Sequence, residues 1–364
     1  MKNISLIGST GSIGKQVLSV VRANPDKFRI CALVCNTPSE EFEKQVEEFK
    51  PKFSFIASKD KNAVDAACLD EADIIFNAAG GFAGLEYSLK AVENGNKLAL
   101  ANKETLVCAG SLVTSHAKMT GSEILPVDSE HSAIWQCLGY NLNAPFKRLI
   151  ITASGGAFIN FTKEELEKVT PEQALLHPTW KMGAKITVDS ATLMNKGYEV
   201  IEAHELYNCP YEKIQTVIQP TSVVHSLVEF KDGAVLAQMG VPSMELPITL
   251  ALTYPERIKG ATPSLDFTKA FNLEFLPLVR KNYPLFDLAL SCGEAGGTLP
   301  CALNAADEVA VHAFLNKKIS FTRIFKVVYE VVSATVREDI KSFEQLSEVD
   351  LKSRLKAEEV IKRL

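Results

Sequence analysis

The sequence predicts an α/β chain in three parts: an N-terminal doubly wound parallel sheet, an α+β domain with its own sheet, and a C-terminal helical bundle. Three observations carry this expectation. Short β-rich runs alternate with helical segments up to about residue 127, a glycine-rich turn follows the first run, and helical periodicity dominates from Leu285 onward. The 364 residues are 46% hydrophobic and 23% charged, which excludes disorder, collagen and coiled coil as the main architecture. At roughly 150 residues per domain, two or three domains are expected.

In the first part the expected strands are Ile4–Ile7, Arg29–Val34, Phe53–Ala57, Asp73–Asn77, Lys97–Leu100 and Glu123–Val127. Between them lie helices such as Gly14–Ala23, stopped by Asn24-Pro25, and Glu40–Lys50, stopped by Pro51. After about residue 128 strand-like runs at Arg148–Thr152, Lys185–Val188, Thr216–Gln219, Val223–Phe230 and Ala234–Met239 mix with one long helical stretch, Ala191–Tyr207. The prolines from Tyr254-Pro255 to Tyr283-Pro284 mark a linker. Beyond it, Ile324, Val327, Val328 and Val331 fall on one helical face. The expected domains are therefore 1–122, 123–253 and 284–364, with 254–283 as the linker.

A net charge of −5 supplies no basic field for a nucleic-acid backbone. No uncharged apolar run approaches the ~18 residues of a membrane span. Lys2 leads at once into a strand pattern, which leaves no room for a signal peptide. The eight cysteines stand singly with no C-x-x-C pair, as expected of reduced thiols in a cytoplasmic protein.

Gly8, Gly11 and Gly14 occupy the turn between the first strand and the first helix. Glycines there permit a tight turn and let backbone N–H groups approach a pyrophosphate, so the turn reads as a Rossmann-like dinucleotide site, the alternative being a tight βα turn with no ligand. A carboxylate after the second strand would select NAD and a basic residue NADP. The chain has Cys35-Asn36-Thr37-Pro38-Ser39, so this feature leaves the choice open.

Pro126-Val127-Asp128-Ser129-Glu130-His131 ends the last strand of the first part. On an extended segment Asp128 and Glu130 point the same way, either as a solvated acidic pair or as ligands to a hard cation. Ser190, read as standing where a strand turns into a helix, suits a phosphate. Asn195, Lys196 and Glu199 share one helical face, and Asp128, Glu130 and Glu199 would make an oxygen-rich Mg²⁺ or Mn²⁺ site. The bland alternative is a helix cap beside a surface ion pair. Ser154-Gly155-Gly156 is a second candidate phosphate loop. His177 to Gly183, with Trp180 and Met182, reads either as a lid over a ligand or, taken alone, as a packed turn. Asn102-Lys103-Glu104 follows a strand at the carboxyl edge of the sheet, where ligands bind. His116 and His312 read as surface residues and His204 as a helix-face residue, while His225 is open.

Six motifs in one order, Gly8–Gly14, Ala101–Glu104, Pro126–His131, Ser154–Gly156, His177-Pro178-Thr179-Trp180 and Val188–Glu199, resemble those of the 1-deoxy-D-xylulose 5-phosphate reductoisomerase family over essentially the whole chain. The resemblance implies a homodimeric enzyme of non-mevalonate isoprenoid synthesis. It would rearrange and reduce 1-deoxy-D-xylulose 5-phosphate to 2-C-methyl-D-erythritol 4-phosphate with NADPH and Mn²⁺ or Mg²⁺. Carried onto this chain, it makes Asp128, Glu130 and Glu199 metal ligands. Lys103, Ser129, Glu130, Ser154, His177, Ser190, Asn195, Lys196 and Glu199 surround the substrate. Thr10, Gly11, Ser12, Ile13, Asn102, Glu104 and Gly183 meet the cofactor.

One place departs from the family pattern: the basic residue expected at the 2′-phosphate is replaced by Asn36-Thr37-Pro38. Donors of Asn36, Thr37 and Ser39 are the available substitutes, with Glu40 and Glu41 opposing. In the implied mechanism Glu130 transfers protons, Lys103 stabilises charge, and Trp180 and Met182 exclude water. Two rival readings are a simple NADP-dependent dehydrogenase of a phosphorylated substrate and a non-catalytic phosphosugar sensor.

Overall fold

The computed structural model describes residues 1–260 and 262–364. The chain packs as two compact units. Residues 1–105, 111–132 and 243–264 form the first, and residues 106–110, 133–242 and 265–364 the second.

The first unit is built on six parallel strands: β1 (Lys2–Ile7), β2 (Phe28–Cys35), β3 (Phe53–Ile56), β4 (Ile74–Asn77), β5 (Leu98–Leu100) and β6 (Ile124–Pro126). Their order is β3-β2-β1-β4-β5-β6, so the winding reverses between β1 and β4, where open α/β sheets bind ligands. Helices α1 (Ser12–Ala23), α2 (Glu40–Phe49), α3 (Gly84–Glu93) and α4 (Lys103–Thr120) connect the strands. Ile4, Leu6, Leu33, Ile75, Phe76 and Leu98 are all 0% exposed. Burial on both faces explains why these strands read as continuous apolar runs.

The stop signals act as expected. Asn24 closes α1 through its own N–H on Val21, and α2 ends on Lys50 in the left-handed conformation just before Pro51. Helix α5 (Ser129–Cys137) follows β6 directly. Helix α10 (Glu245–Thr253) returns to this unit and packs on α1, where Lys2 Nζ donates to the carbonyls of Leu252 and Tyr254 at 3.0 and 3.2 Å.

The second unit holds a five-stranded mixed sheet of β7 (Arg148–Ala153), β8 (Ile214–Ile218), β9 (Val224–Glu229), β10 (Val235–Met239) and β11 (Leu276–Pro277), ordered β10-β9-β7-β8-β11. Between β7 and β8 run the short helices α6 (Lys163–Leu166) and α7 (Pro171–Ala174), then α8 (Ala184–Thr192) and α9 (Met194–Tyr207). Leu149, Ile151, Leu193, Val200, Val228 and Phe286 close the core between the sheet and these helices. The bundle expected at the C-terminus is present as α11 (Pro284–Ala295), α12 (Leu299–Leu315), α13 (Arg323–Ala334) and α14 (Phe343–Lys362). Ile324, Val327, Val328 and Val331 are its buried stripe on α13.

Two expectations fail here. Lys185–Val188 is not a strand but the middle of α8, and the helix expected at Ala191–Tyr207 is two helices broken at Leu193. Lys-Ile-Thr-Val has β-branched alternation, yet Lys185 and Asp189 form an i, i+4 ion pair that the extended spacing of a strand would not allow. Leu193 takes the left-handed conformation (φ 57°), which ends α8 and restarts the chain at a new angle. Among the described residues no helix is long and apolar enough to cross a membrane.

Candidate active site

In the first unit the glycine turn leads from β1 into α1. Gly8 is left-handed (φ +80°), and a Cβ on it would stand 2.6 Å from the Ala78 backbone after β4. A Cβ on Gly14 would stand 2.2 Å from the Gly8 carbonyl oxygen, so helix and turn meet backbone to backbone. Gly11 is the N-cap of α1, and the helix has no side-chain cap. Thr10, Gly11, Ser12 and Ile13 thus surround a helix N-terminus whose first amides suit an anionic oxygen. Asn36 and Thr37 are exposed at the end of β2, and the Ser39 hydroxyl is engaged, accepting the Phe42 N–H as the cap of α2.

Asn102 is buried at the N-terminus of α4. Its side-chain oxygen accepts the Thr105 N–H, and its amide donates to the carbonyls of Ala79 and Gly81 and to Glu104 Oε2. It therefore ties the loop after β4 to α4 and presents Lys103 one residue on. Lys103 Nζ reaches Asp128 Oδ2 at 2.9 Å. Asp128 and Glu130 are not on an extended segment as expected: α5 begins at Ser129, and Asp128 Oδ1 accepts the Glu130 N–H at 3.2 Å. A helix start aims both carboxyls near one helix end as effectively as a strand would. Burial acts to raise the Asp128 pKa, but the Lys103 ammonium and His131 hold the carboxyl well below the usual range. Ser129 donates to Glu130 Oε2 at 2.6 Å.

In the second unit β7 runs into Ser154-Gly155-Gly156, both glycines left-handed. A Cβ on Gly156 would stand 2.6 Å from Ala191 Cα, so this loop lies against the backbone of α8. His177 Nε2 is 3.0 Å from both Ser154 Oγ and Ser190 Oγ. Its Nδ1 accepts the N–H groups of Thr179 and Trp180 at 3.2 and 3.0 Å, which leaves the ring proton on Nε2, facing the two serines. Burial lowers the His177 pKa and keeps the ring neutral. Ser190 is in the last turn of α8, not at a strand-to-helix start as expected. What it offers is a hydroxyl beside His177, without a helix dipole.

On α9, Glu199 Oε1 accepts from Asn195 Nδ2 at 2.5 Å, and Oε2 pairs with Lys196 Nζ. Lys196 and Glu199 are 4% and 1% exposed. Gly183 caps α8, and Trp180 and Met182 are half-buried in the loop before it, the Trp180 ring 6.0 Å from that of His225. His225 is buried on β9, His116 pairs with Glu93 and His312 is exposed. The donors collected in the second unit suit a phosphate monoester, and Asp128 and Glu130 of the first suit a hard cation.

Sequence reasoning missed Lys185, Tyr198 and Asp307, which meet beneath α8 and α9. The i, i+4 spacing of Lys185 and Asp189 was a signal once that segment is taken as helix. Asp307 carried none.

Comparison with known proteins agrees with this fold. The sequence model of 1-deoxy-D-xylulose 5-phosphate reductoisomerase matches residues 4–110, and models of its C-terminal domains match 124–207 and 239–356. The reductoisomerase of Thermodesulfovibrio yellowstonii is 44% identical, covering 99% of this chain and 100% of the relative. That of Chlorobaculum tepidum is 47% identical over 92% and 93%. A crystal structure of DOX-P reductoisomerase in complex with NADPH, fosmidomycin and magnesium superposes with a TM-score of 0.93 at 36% identity, covering 100% of this chain and 98% of that one. The Zymomonas mobilis enzyme in complex with NADPH gives 0.92 at 37%, with 100% of both chains covered. The chain belongs to the 1-deoxy-D-xylulose 5-phosphate reductoisomerase family.

Proposed function

We propose that this chain converts 1-deoxy-D-xylulose 5-phosphate to 2-C-methyl-D-erythritol 4-phosphate with NADPH and a divalent cation, and that the residues above perform it in the roles the motifs imply. One observation carries the reading: Ser154, His177 and Ser190 present their polar atoms at one point, in a chain whose six motifs run in the family's order. A neutral Nε2–H and two hydroxyls bind a phosphate without demanding that a base be protonated, and Asn195 and Lys196 extend that donor set.

Asp128, Glu130 and Glu199 supply the cation's oxygens, with Asp128 already ionised through Lys103, and an all-oxygen donor set favours Mg²⁺ or Mn²⁺. When bound, the cation supplies Lewis-acid stabilisation of substrate oxygens and NADPH supplies the hydride. Thr10, Gly11, Ser12 and Ile13 receive the pyrophosphate on the amides of α1, and Asn36, Asn102, Glu104 and Gly183 complete the cofactor contacts. Glu130 holds or releases a proton at its carboxyl beside Ser129, and Lys103 offsets negative charge. Trp180 and Met182 cover the bound substrate and exclude water.

Functionally, residues 1–122 bind cofactor, 123–253 bind metal and substrate, and 284–364 support them beyond the 254–283 segment. The acting form is a cytoplasmic homodimer. Val235 and Leu236 on β10 and Phe275 and Leu276 around β11 are 48%, 50%, 44% and 36% exposed on the two opposite edges of one sheet, each an apolar edge suited to a second copy. Light scattering that gives a monomer mass at micromolar concentration would remove the dimer.

The test of the reaction is NADPH oxidation followed by absorbance with the substrate and Mn²⁺, beside NADH and beside EDTA. Oxidation that needs both substrate and metal is the expected result. Metal-independent oxidation would favour the simple dehydrogenase. Folded protein that binds NADPH without turnover would favour the sensor.

A further inference from the structure

Helices α8 and α9 carry Ser190, Asn195, Lys196 and Glu199, and one buried ionic array ties both helices to α12. Lys185 Nζ lies 2.7 Å from Asp189 Oδ2, one turn along α8, and 2.8 Å from Asp307 Oδ2 on α12. From α9, Tyr198 donates its hydroxyl to the same Asp307 oxygen at 3.3 Å, and its ring faces the Lys185 ammonium at 4.9 Å. Asp189 is 2% exposed, and Tyr198 and Asp307 are 0% exposed. Burial and the neighbouring Asp307 push the Asp189 pKa well up.

Stability alone is a poor reason for such an array, because well-packed apolar residues of similar volume are often as stabilising. Its geometric effect is specific. A helix turns about 100° per residue, so fixing the direction of one side chain sets the direction of the next. Asp189 immediately precedes Ser190, and Tyr198 lies between Lys196 and Glu199. The Asp307 carboxyl, reached from both helices, thus sets their rotation together across the break at Leu193.

We propose that Lys185, Asp189 and Asp307 are positioning residues for the substrate phosphate: they hold α8 and α9 at the rotation in which Ser190, Asn195 and Lys196 present their donors together. The inference rests on the assignment of those three residues to the phosphate.

The full chain with NADPH and Mn²⁺ tests it through Asp307→Leu, Lys185→Met, Asp307→Asn and, as the reference, Ser190→Ala. Asp307→Leu and Lys185→Met are expected to raise KM for the phosphosugar about tenfold while KM for NADPH stays within about twofold. Asp307→Asn keeps an acceptor for both Lys185 and Tyr198, and its KM is expected within about threefold of the parent. A merely structural role would lower the melting temperature and the active fraction without moving KM of the folded enzyme. Unchanged KM in both disruptive variants, with Ser190→Ala raised, overturns the positioning role and leaves the phosphate assignment intact. A joint rise of both KM values also overturns it. If Ser190→Ala itself leaves KM unchanged, the phosphate assignment falls and the inference with it. Lys185 is one-fifth exposed, so Lys185→Met carries the test if Asp307→Leu does not fold.

Discussion

His177 Nε2 stands 3.0 Å from Ser190 Oγ, while Nδ1 of the same ring accepts the Trp180 N–H at 3.0 Å. One imidazole thereby joins the loop that carries Trp180 to the hydroxyl proposed to meet the phosphate, with its proton on the side of the two serines. His177→Gln is expected to raise KM for the phosphosugar about tenfold by removing one donor and releasing the loop. Burial depresses the ring's pKa below its ordinary 6.5, so the neutral ring's stability contribution is present above pH 6.5 and lost as the pH falls below that. A ring titration by NMR with a midpoint at or above 6.5 would contradict the assignment of a neutral donor.

Gly156 is left-handed (φ +73°), and its missing side chain lets the loop lie against Ala191. Gly156→Ala is expected to cost about 1–3 kcal/mol from backbone strain, with the 2.6 Å approach adding to it. Chemical denaturation measures the loss. A stability equal to the parent's would show that the loop moves freely away from α8.

Glu205 on α9 packs against Gly110, where a Cβ would stand 2.3 Å from Glu205 Cγ. Burial raises its carboxyl pKa from 4.5 to about 7. A raised carboxyl favours the protonated form in the fold, so its stability contribution is full below pH 4.5 and is lost as the pH rises through about 7. Glu205→Gln is expected to flatten the stability-versus-pH curve across that window, read by thermal melts. An unchanged curve would mean that the carboxyl titrates normally.

Asn36 is exposed just after β2, at the position proposed to face the 2′-phosphate of the cofactor. Asn36→Arg is expected to increase the NADPH over NADH preference in kcat/KM about tenfold, mainly through KM for NADPH. An unchanged ratio would place the 2′-phosphate away from this position.

The sequence by itself determined the parallel sheet of the first unit almost completely, though not the return of α10 to it. Its strands are buried on both faces and so are continuous apolar runs, its helices end at Asn24-Pro25 and Pro51, and Gly8 and Gly14 stand where backbone meets backbone. Local constraints of this kind are written in local residues, which is why the expected and observed strands there differ by only one or two residues at their ends. The motif spacing likewise named Asn195, Lys196 and Glu199 as one face, because a helix brings i+3 and i+4 neighbours together whatever surrounds it. Only the tertiary structure decided the rest. Lys185–Val188 has the composition of a strand yet lies in a helix, where Lys185 meets Asp189 one turn on and Asp307 on α12, 122 positions away from it in the chain. Ser190 gains its meaning from His177, and Asp128 its ionised state from Lys103. Most of these depend on distances between different elements, and packing sets those distances, not propensity.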